Sequence, residues 1–179
     1  TVRTAPAGAF PDMFLGQDRC PAQFKPDCVT GGLAVGVPGI LRLLTTVHAR
    51  FSSGKFSFAG LFDPAVKLAE QGFPVSERVV FYIRQEKDRL KMFPASRAVF
   101  LDQKGEPIKT GTHLFQPDLA KTFRLIQKQG PEVFYQGEIG RDIVKAVREA
   151  QDHPGVMREA DLAAYRVAQR EPVSGSYRG

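Results

Sequence analysis

The sequence is poor in the features that mark the simplest function classes. Its longest apolar run is far shorter than the about 20 residues a membrane-spanning helix needs, so no helical span is expected. It has no block of one-signed charge. The net charge of +6 is spread through interleaved cations and anions, as in Arg84-Gln85-Glu86-Lys87-Asp88-Arg89, and a basic face for nucleic acid is not expected. No tandem repeat or low-complexity tract is present. The only cysteines are Cys20 and Cys28, too far apart for the C-x-x-C spacing of metal and redox sites. If they pair, the closed loop contributes about 2–3 kcal/mol in the chain-entropy model and the compartment is oxidising; two free surface thiols are the alternative. His48, His113 and His153 are too scattered to suggest a metal triad, and no cofactor is expected. There is no initiator Met, leader or cleavage site. Thr1 is therefore not expected to be a translation start, and the chain is expected to be a piece or a processed product.

What is present is ordinary globular material, 179 residues with 42% hydrophobic and 25% charged, enough for one domain with a real core. Residues 1–30 read as an extended polar arm and 31–179 as a helical body, an incomplete single domain ending in a cut strand hairpin. Between them, Gly31-Gly32-Leu33-Ala34-Val35-Gly36-Val37-Pro38-Gly39 must turn tightly or approach something closely. It predicts a turn feeding a helix, with Pro38 near the first turn. A phosphate loop is excluded, because no Lys-Ser/Thr follows and the G-x-G-x-x-G spacing is absent.

Apolar residues then recur at helical spacing. Ile40, Leu43, Leu44, Val47 and Phe51 share one face, ended by Ser52-Ser53-Gly54. Asp63 is expected to cap a short helix with Pro64 in its first turn, Ala65, Leu68 and Ala69 inward and Gly72 as its stop. Ser76 caps a longer helix to about Met92, with Arg84 pairing Asp88 and Glu86 pairing Arg89. Ala98–Leu101 reads as a strand and turn with Leu114-Phe115-Gln116 as partner. Helices follow from Pro117 (Leu119, Phe123 and Ile126 inward) to Gly130, over the single turn Pro131–Gly137, from Glu138 to about Ala150, and over Asp161–Tyr165. Val167–Val173 reads as a strand, with Ser174-Gly175-Ser176 as its turn. Together these make an α+β chain whose main part is an antiparallel helical layer.

Three stretches together resemble the gamma-glutamyltranspeptidase family: Gly31–Gly39; Leu61-Phe62-Asp63-Pro64 through Gly72-Phe73-Pro74-Val75-Ser76; and Asp161-Leu162-Ala163-Ala164-Tyr165 through Arg170, Pro172 and Ser174-Gly175 to Tyr177-Arg178-Gly179. Gly130-Pro131 with Phe134-Tyr135 and Gly137 adds a fourth. The resemblance covers essentially the whole chain in the family's order, although each piece alone is a capping or packing signature. It implies an N-terminal-nucleophile hydrolase fold, an αββα sandwich, and a precursor that cuts itself into large and small subunits. The small subunit's new N-terminal Thr then attacks a gamma-glutamyl amide, its own α-amine serving as base, and passes the acyl group to water or to an amino acid or peptide.

The chain resembles an interior part of the large subunit. Its expected partners are the small subunit, which carries the nucleophile, and glutathione or another gamma-glutamyl substrate; the expected location is periplasmic or extracellular. Thr1, at a chain start, is not that nucleophile, because Val2-Arg3-Thr4-Ala5-Pro6 resembles a large-subunit segment. In that segment the family has Arg-Glu before Thr-Ala-Pro, and the Arg clamps the substrate α-carboxylate through parallel hydrogen bonds. Aligned without a gap, Val2 takes the Arg position and Arg3 the Glu position. With a one-residue deletion Arg3 takes the binding role, the reading adopted, since losing the clamp leaves a carboxylate unpaired. Arg158 stands where the family has a capping Thr, at a cost on the order of 1 kcal/mol. The arm around Cys20 and Cys28 resembles an insertion. Acylases of the cephalosporin or glutaryl type, or a non-catalytic helical scaffold, are the alternative readings.

Overall fold

The computed structural model describes residues 3–16, 18–24, 28–151 and 153–178; Thr1, Val2 and Gly179 lie outside them. Strand β1 (Arg3–Thr4) pairs antiparallel with β2 (Val37–Pro38), Arg3 opposite Pro38 and Thr4 opposite Val37. Pro38 is thus a strand residue, and Gly39 caps the following helix α1 (Ile40–Phe51). A proline lacks the N–H of a central strand but suits the edge of a two-residue ribbon.

The glycine-rich stretch earns its composition through contact. After Gly31, at φ 85°, a single 3₁₀ turn (Gly32–Ala34) lies against helix α8 (Glu138–Arg148). A Cβ on Gly32 would collide with the Val147 carbonyl and the Gly155 backbone, and one on Gly39 would collide with the Tyr165 hydroxyl. Leu33 N–H donates to the His153 carbonyl (2.7 Å), and Gly155 N–H to that of Val147 (2.8 Å). The stretch is therefore stitched to a segment more than a hundred residues later.

Helix α2 (Asp63–Gln71) runs antiparallel to α6 (Pro117–Gln129). Gln127 Nε2 donates to Asp63 Oδ1 (2.8 Å) at one end, and Gln116 N–H reaches the Ala69 carbonyl (2.9 Å) at the other. Asp63 does not cap α2: it is the first helical residue, and its carboxylate is turned to Gln127. Val66 and Ala69 are buried and Leu68 is exposed; on α6, Ala120 and Ile126 are buried while Leu119 is not. Gly72 and Gly130 end these helices at φ 74° and 80°, backbone that glycine reaches without penalty.

Ser76 caps α3 (Glu77–Gln85), its Oγ accepting from Val79 N–H (3.4 Å). The expected long helix breaks at Glu86, and α4 (Lys87–Lys91) follows. Glu86 pairs with Arg89 (3.1 Å) as expected, while Asp88 meets Lys91 (3.8 Å) in place of Arg84. Ala98–Phe100 is not a strand but the end of α5 (Pro94–Phe100), with Pro94 pre-set for its first turn. The partner of β4 (His113–Leu114) is β3 (Phe73–Pro74). Helix α7 (Glu132–Gln136) occupies the expected single turn, α8 ends at Arg148, two residues early, and α9 spans Glu159–Ala164. Residues 167–173 form no strand. No second strand lies alongside them among the described residues, and Val173 and Tyr177 are almost fully exposed.

The main core joins Val37 and Leu41 to Ile126, Tyr135, Val144, Met157 and Leu162. Most of the apolar stripe of α1 faces out, with Leu43 half-buried. Ile40, Leu44, Val47 and Phe51 are 51%, 50%, 44% and 71% exposed, and Leu41, off that stripe, is the buried residue. Leu44, Val47 and Phe51, with Phe58, Leu61 and Phe123, line an open apolar groove of about 560 Å³. No described helix is long and apolar enough to cross a membrane.

Candidate functional site

Arg3 sits on the β1–β2 ribbon with an exposed side chain, and among the described residues that side chain has no hydrogen-bond or ion-pair partner. Its stem runs beside Gly36: a Cβ there would lie 3.9 Å from Arg3 Cβ and Cδ. Successive strand residues point to opposite faces, and Thr4 lines a concavity of about 330 Å³ with Ala7, Val37, Asp161, Tyr165 and Arg166. Arg3 therefore projects from the other side of the ribbon.

The ribbon rests on a polar and aromatic stack that sequence reasoning missed. Tyr135, 1% exposed, lies nearly parallel to Tyr165 (centroids 6.3 Å apart, planes at 11°) and beneath the Arg42 guanidinium, 4.2 Å from the ring centroid. Its hydroxyl accepts the Arg42 backbone N–H (2.8 Å), satisfying one of the N–H groups that the first turn of α1 leaves unpaired. Burial pushes the Tyr135 phenol above its ordinary range. Arg42 forms a two-pronged pair with Glu132, Nη2 to Oε2 at 3.1 Å and Nη1 to Oε1, which raises the guanidinium and holds the Glu132 carboxyl below the usual carboxylate range. A carboxylate so lowered stabilises the fold above the ordinary glutamate pKa, and that contribution is lost as pH falls through the lowered native value. Glu132→Gln is expected to flatten the acid side of a plot of unfolding temperature against pH, a modest effect because Glu132 is half-exposed.

Asp161 is a further residue the sequence did not place at the site. Its Oδ2 accepts from Arg158 N–H (2.8 Å) and its Oδ1 from Ala7 N–H (3.0 Å), 154 residues away. The side chain of Arg158 cannot accept helix N–H groups, yet the other half of the capping box survives through Asp161. The local signal was an Asp three residues into the helix; nothing in sequence marked Ala7 as its partner.

The other candidates stay apart. Both thiols are free in the structure, so the closed loop allowed from sequence is not formed in it; Cys20 is exposed and Cys28 Sγ points at the Ala22 carbonyl (3.5 Å). His48 Nε2 lies 3.0 Å from the Phe56 carbonyl with its ring edge-on to Phe58, a packing role. No group of three or more His, Cys, Asp or Glu among the described residues could hold a metal.

The architecture is α+β of the N-terminal-nucleophile hydrolase class, present here mainly as its helical layer with a few short strands. The solved Helicobacter pylori gamma-glutamyltranspeptidase superposes with a TM-score of 0.89 at 32% identity, over 99% of this chain and 49% of that one. The family model described as Gamma-glutamyltranspeptidase matches residues 2–179, and the chain belongs to that family. It is 41% identical over 175 residues to the glutathione hydrolase proenzyme of Bacillus subtilis (strain 168), covering 98% of this chain and 28% of that protein. It is 35% identical over 184 residues to the acylase ACY 1 proenzyme of Pseudomonas sp. (strain V22), covering 99% of this chain and 32% of that one. The chain thus spans about half of the solved relative and less than a third of the curated ones.

Proposed function

We propose that the chain is the large-subunit portion of a gamma-glutamyltransferase/glutathione hydrolase. The observation that carries this reading is the match to a glutathione hydrolase proenzyme along 98% of the chain. In the proposed reaction a Thr at the start of the small subunit of the same precursor attacks the gamma-glutamyl carbonyl carbon through Oγ, its proton passing to the α-amine. The C–N bond breaks, the leaving amine takes that proton, and the ester is resolved by water or by an amino acid or peptide. Arg3 pairs with the donor α-carboxylate, and the chain supplies no nucleophile. The outward apolar stripe of α1 supports a chain that works within a larger assembly, since exposed apolar patches of this kind mark interaction surfaces.

The acylase reading has its own support in the 35% identity to the Pseudomonas acylase and in the ungapped placement of Arg3 at the Glu position. Hydrolysis of gamma-glutamyl and glutaryl anilides by the complete protein separates the two. The donors differ only in the α-amino group, the glutaryl chain keeping the carboxylate, so faster turnover of gamma-glutamyl anilide is expected of a gamma-glutamyl enzyme, and equal turnover favours the acylase. A periplasmic or extracellular location is proposed alongside. Its test is whether Cys20 and Cys28 in protein taken from cells resist alkylation until reductant is added; ready alkylation counts against an oxidising compartment.

A further inference from the structure

We infer that Asp161 is a positioning residue for Arg3, acting as a latch that fixes the arm on which Arg3 stands. This rests on the reading of Arg3 as the carboxylate clamp. The arm has few other anchors. Arg3 and Thr4 are held by a ribbon of two residue pairs, and the residues just beyond, Pro6 to Ala9, form a turn closed by Ala9 N–H to the Pro6 carbonyl (3.0 Å). The Asp161 carboxylate reaches into that turn from α9 and takes the Ala7 N–H. Its other oxygen is occupied by Arg158 N–H, so the carboxylate is oriented before it meets the arm. A charged acceptor makes a stronger bond to a backbone N–H than a neutral one.

The platform bearing the latch is packed into the core. Leu162 beside it is fully buried, and Tyr165 at the end of α9 packs against Gly39, immediately after β2. One short helix therefore holds both ends of the ribbon: the β1 end through Asp161 and Ala7, the β2 end through Tyr165 and Gly39. A clamp must hold its guanidinium within a fraction of an ångström to keep two parallel hydrogen bonds, and a loosened ribbon loses that alignment without losing the arginine.

The test uses the assembled enzyme with two variants that break the bond from opposite sides. Asp161→Asn reduces the carboxylate to a neutral amide. Ala7→Pro deletes the donor while keeping a residue suited to the second position of the turn. In both, hydrogen exchange in peptides covering the arm is expected to rise, and KM for a gamma-glutamyl donor to rise about 3- to 10-fold with kcat within about 2-fold. Asp161→Glu is expected to recover part of the KM. Arg3→Ala/Asp161→Asn is expected to show the KM of Arg3→Ala alone, because the latch acts through Arg3. Unchanged arm exchange in both variants overturns the latch. A KM that rises additively in the Arg3→Ala background, or a loss confined to kcat, overturns positioning through Arg3. If Arg3→Ala itself leaves KM unchanged, the clamp reading fails and the latch has no site to serve.

Discussion

Arg3→Ala in the complete enzyme is expected to raise KM for gamma-glutamyl donors roughly 10- to 100-fold, the loss of charge-assisted hydrogen bonds worth about 1.5–3 kcal/mol. The change should fall on KM more than kcat, because the α-carboxylate is remote from the bond that breaks and is bound alike in ground and transition states. Arg3→Lys keeps the charge but loses the planar fork, and an intermediate KM is expected. Steady-state kinetics with a gamma-glutamyl anilide checks both. The exposed guanidinium, with no partner among the described residues, is what such a clamp needs before substrate arrives. An unchanged KM in Arg3→Ala sinks the assignment.

Gly32→Ala is expected to be the most destabilising small substitution in the glycine-rich stretch, by about 3 kcal/mol, at the upper end of overpacking effects. The added Cβ meets two backbone groups, the Val147 carbonyl and the Gly155 amide, and neither can rotate away as a side chain does. Those groups also bond to each other (2.8 Å), so accommodating the methyl costs a hydrogen bond as well as a shift of α8. Gly175→Ala, where a Cβ has open space, is the control and is expected to leave the unfolding temperature unchanged. Thermal unfolding of the two variants side by side decides it; equal temperatures would mean that the glycine stretch is a flexible turn and not a packed joint.

Helix ends were legible in the sequence because they depend on single residues with a local physical effect. Ser76 caps, and Gly72 and Gly130 take positive φ where periodicity stops. Helix faces were less legible. The α1 stripe of Ile40, Leu44, Val47 and Phe51 has regular spacing, and periodicity reports that a helix owns an apolar face without reporting what covers it. Among the described residues it is only partly covered, by Phe58, Leu61 and Phe123 along the groove, and Leu41 is the buried residue of the helix. Ala98-Val99-Phe100 shows the ambiguity of short apolar runs, settled by Pro94 four residues earlier. At the site, Arg3 was found through the resemblance of Thr-Ala-Pro and its neighbours. Its supports were not: the Asp161–Ala7 bond and the Tyr135 hydroxyl on α1 join residues 154 and 93 apart, and no spacing rule reaches that far.

In the proposed enzyme this chain shapes the donor site while another chain of the same precursor performs the attack. An electrophilic gamma-glutamyl analogue that traps the nucleophile, added to the assembled enzyme and followed by intact-mass measurement of the separated chains, tests it most directly. One adduct is expected on the chain that begins with the nucleophilic Thr and none on this one. An adduct on this chain, or gamma-glutamyl hydrolysis by this chain alone, would contradict it.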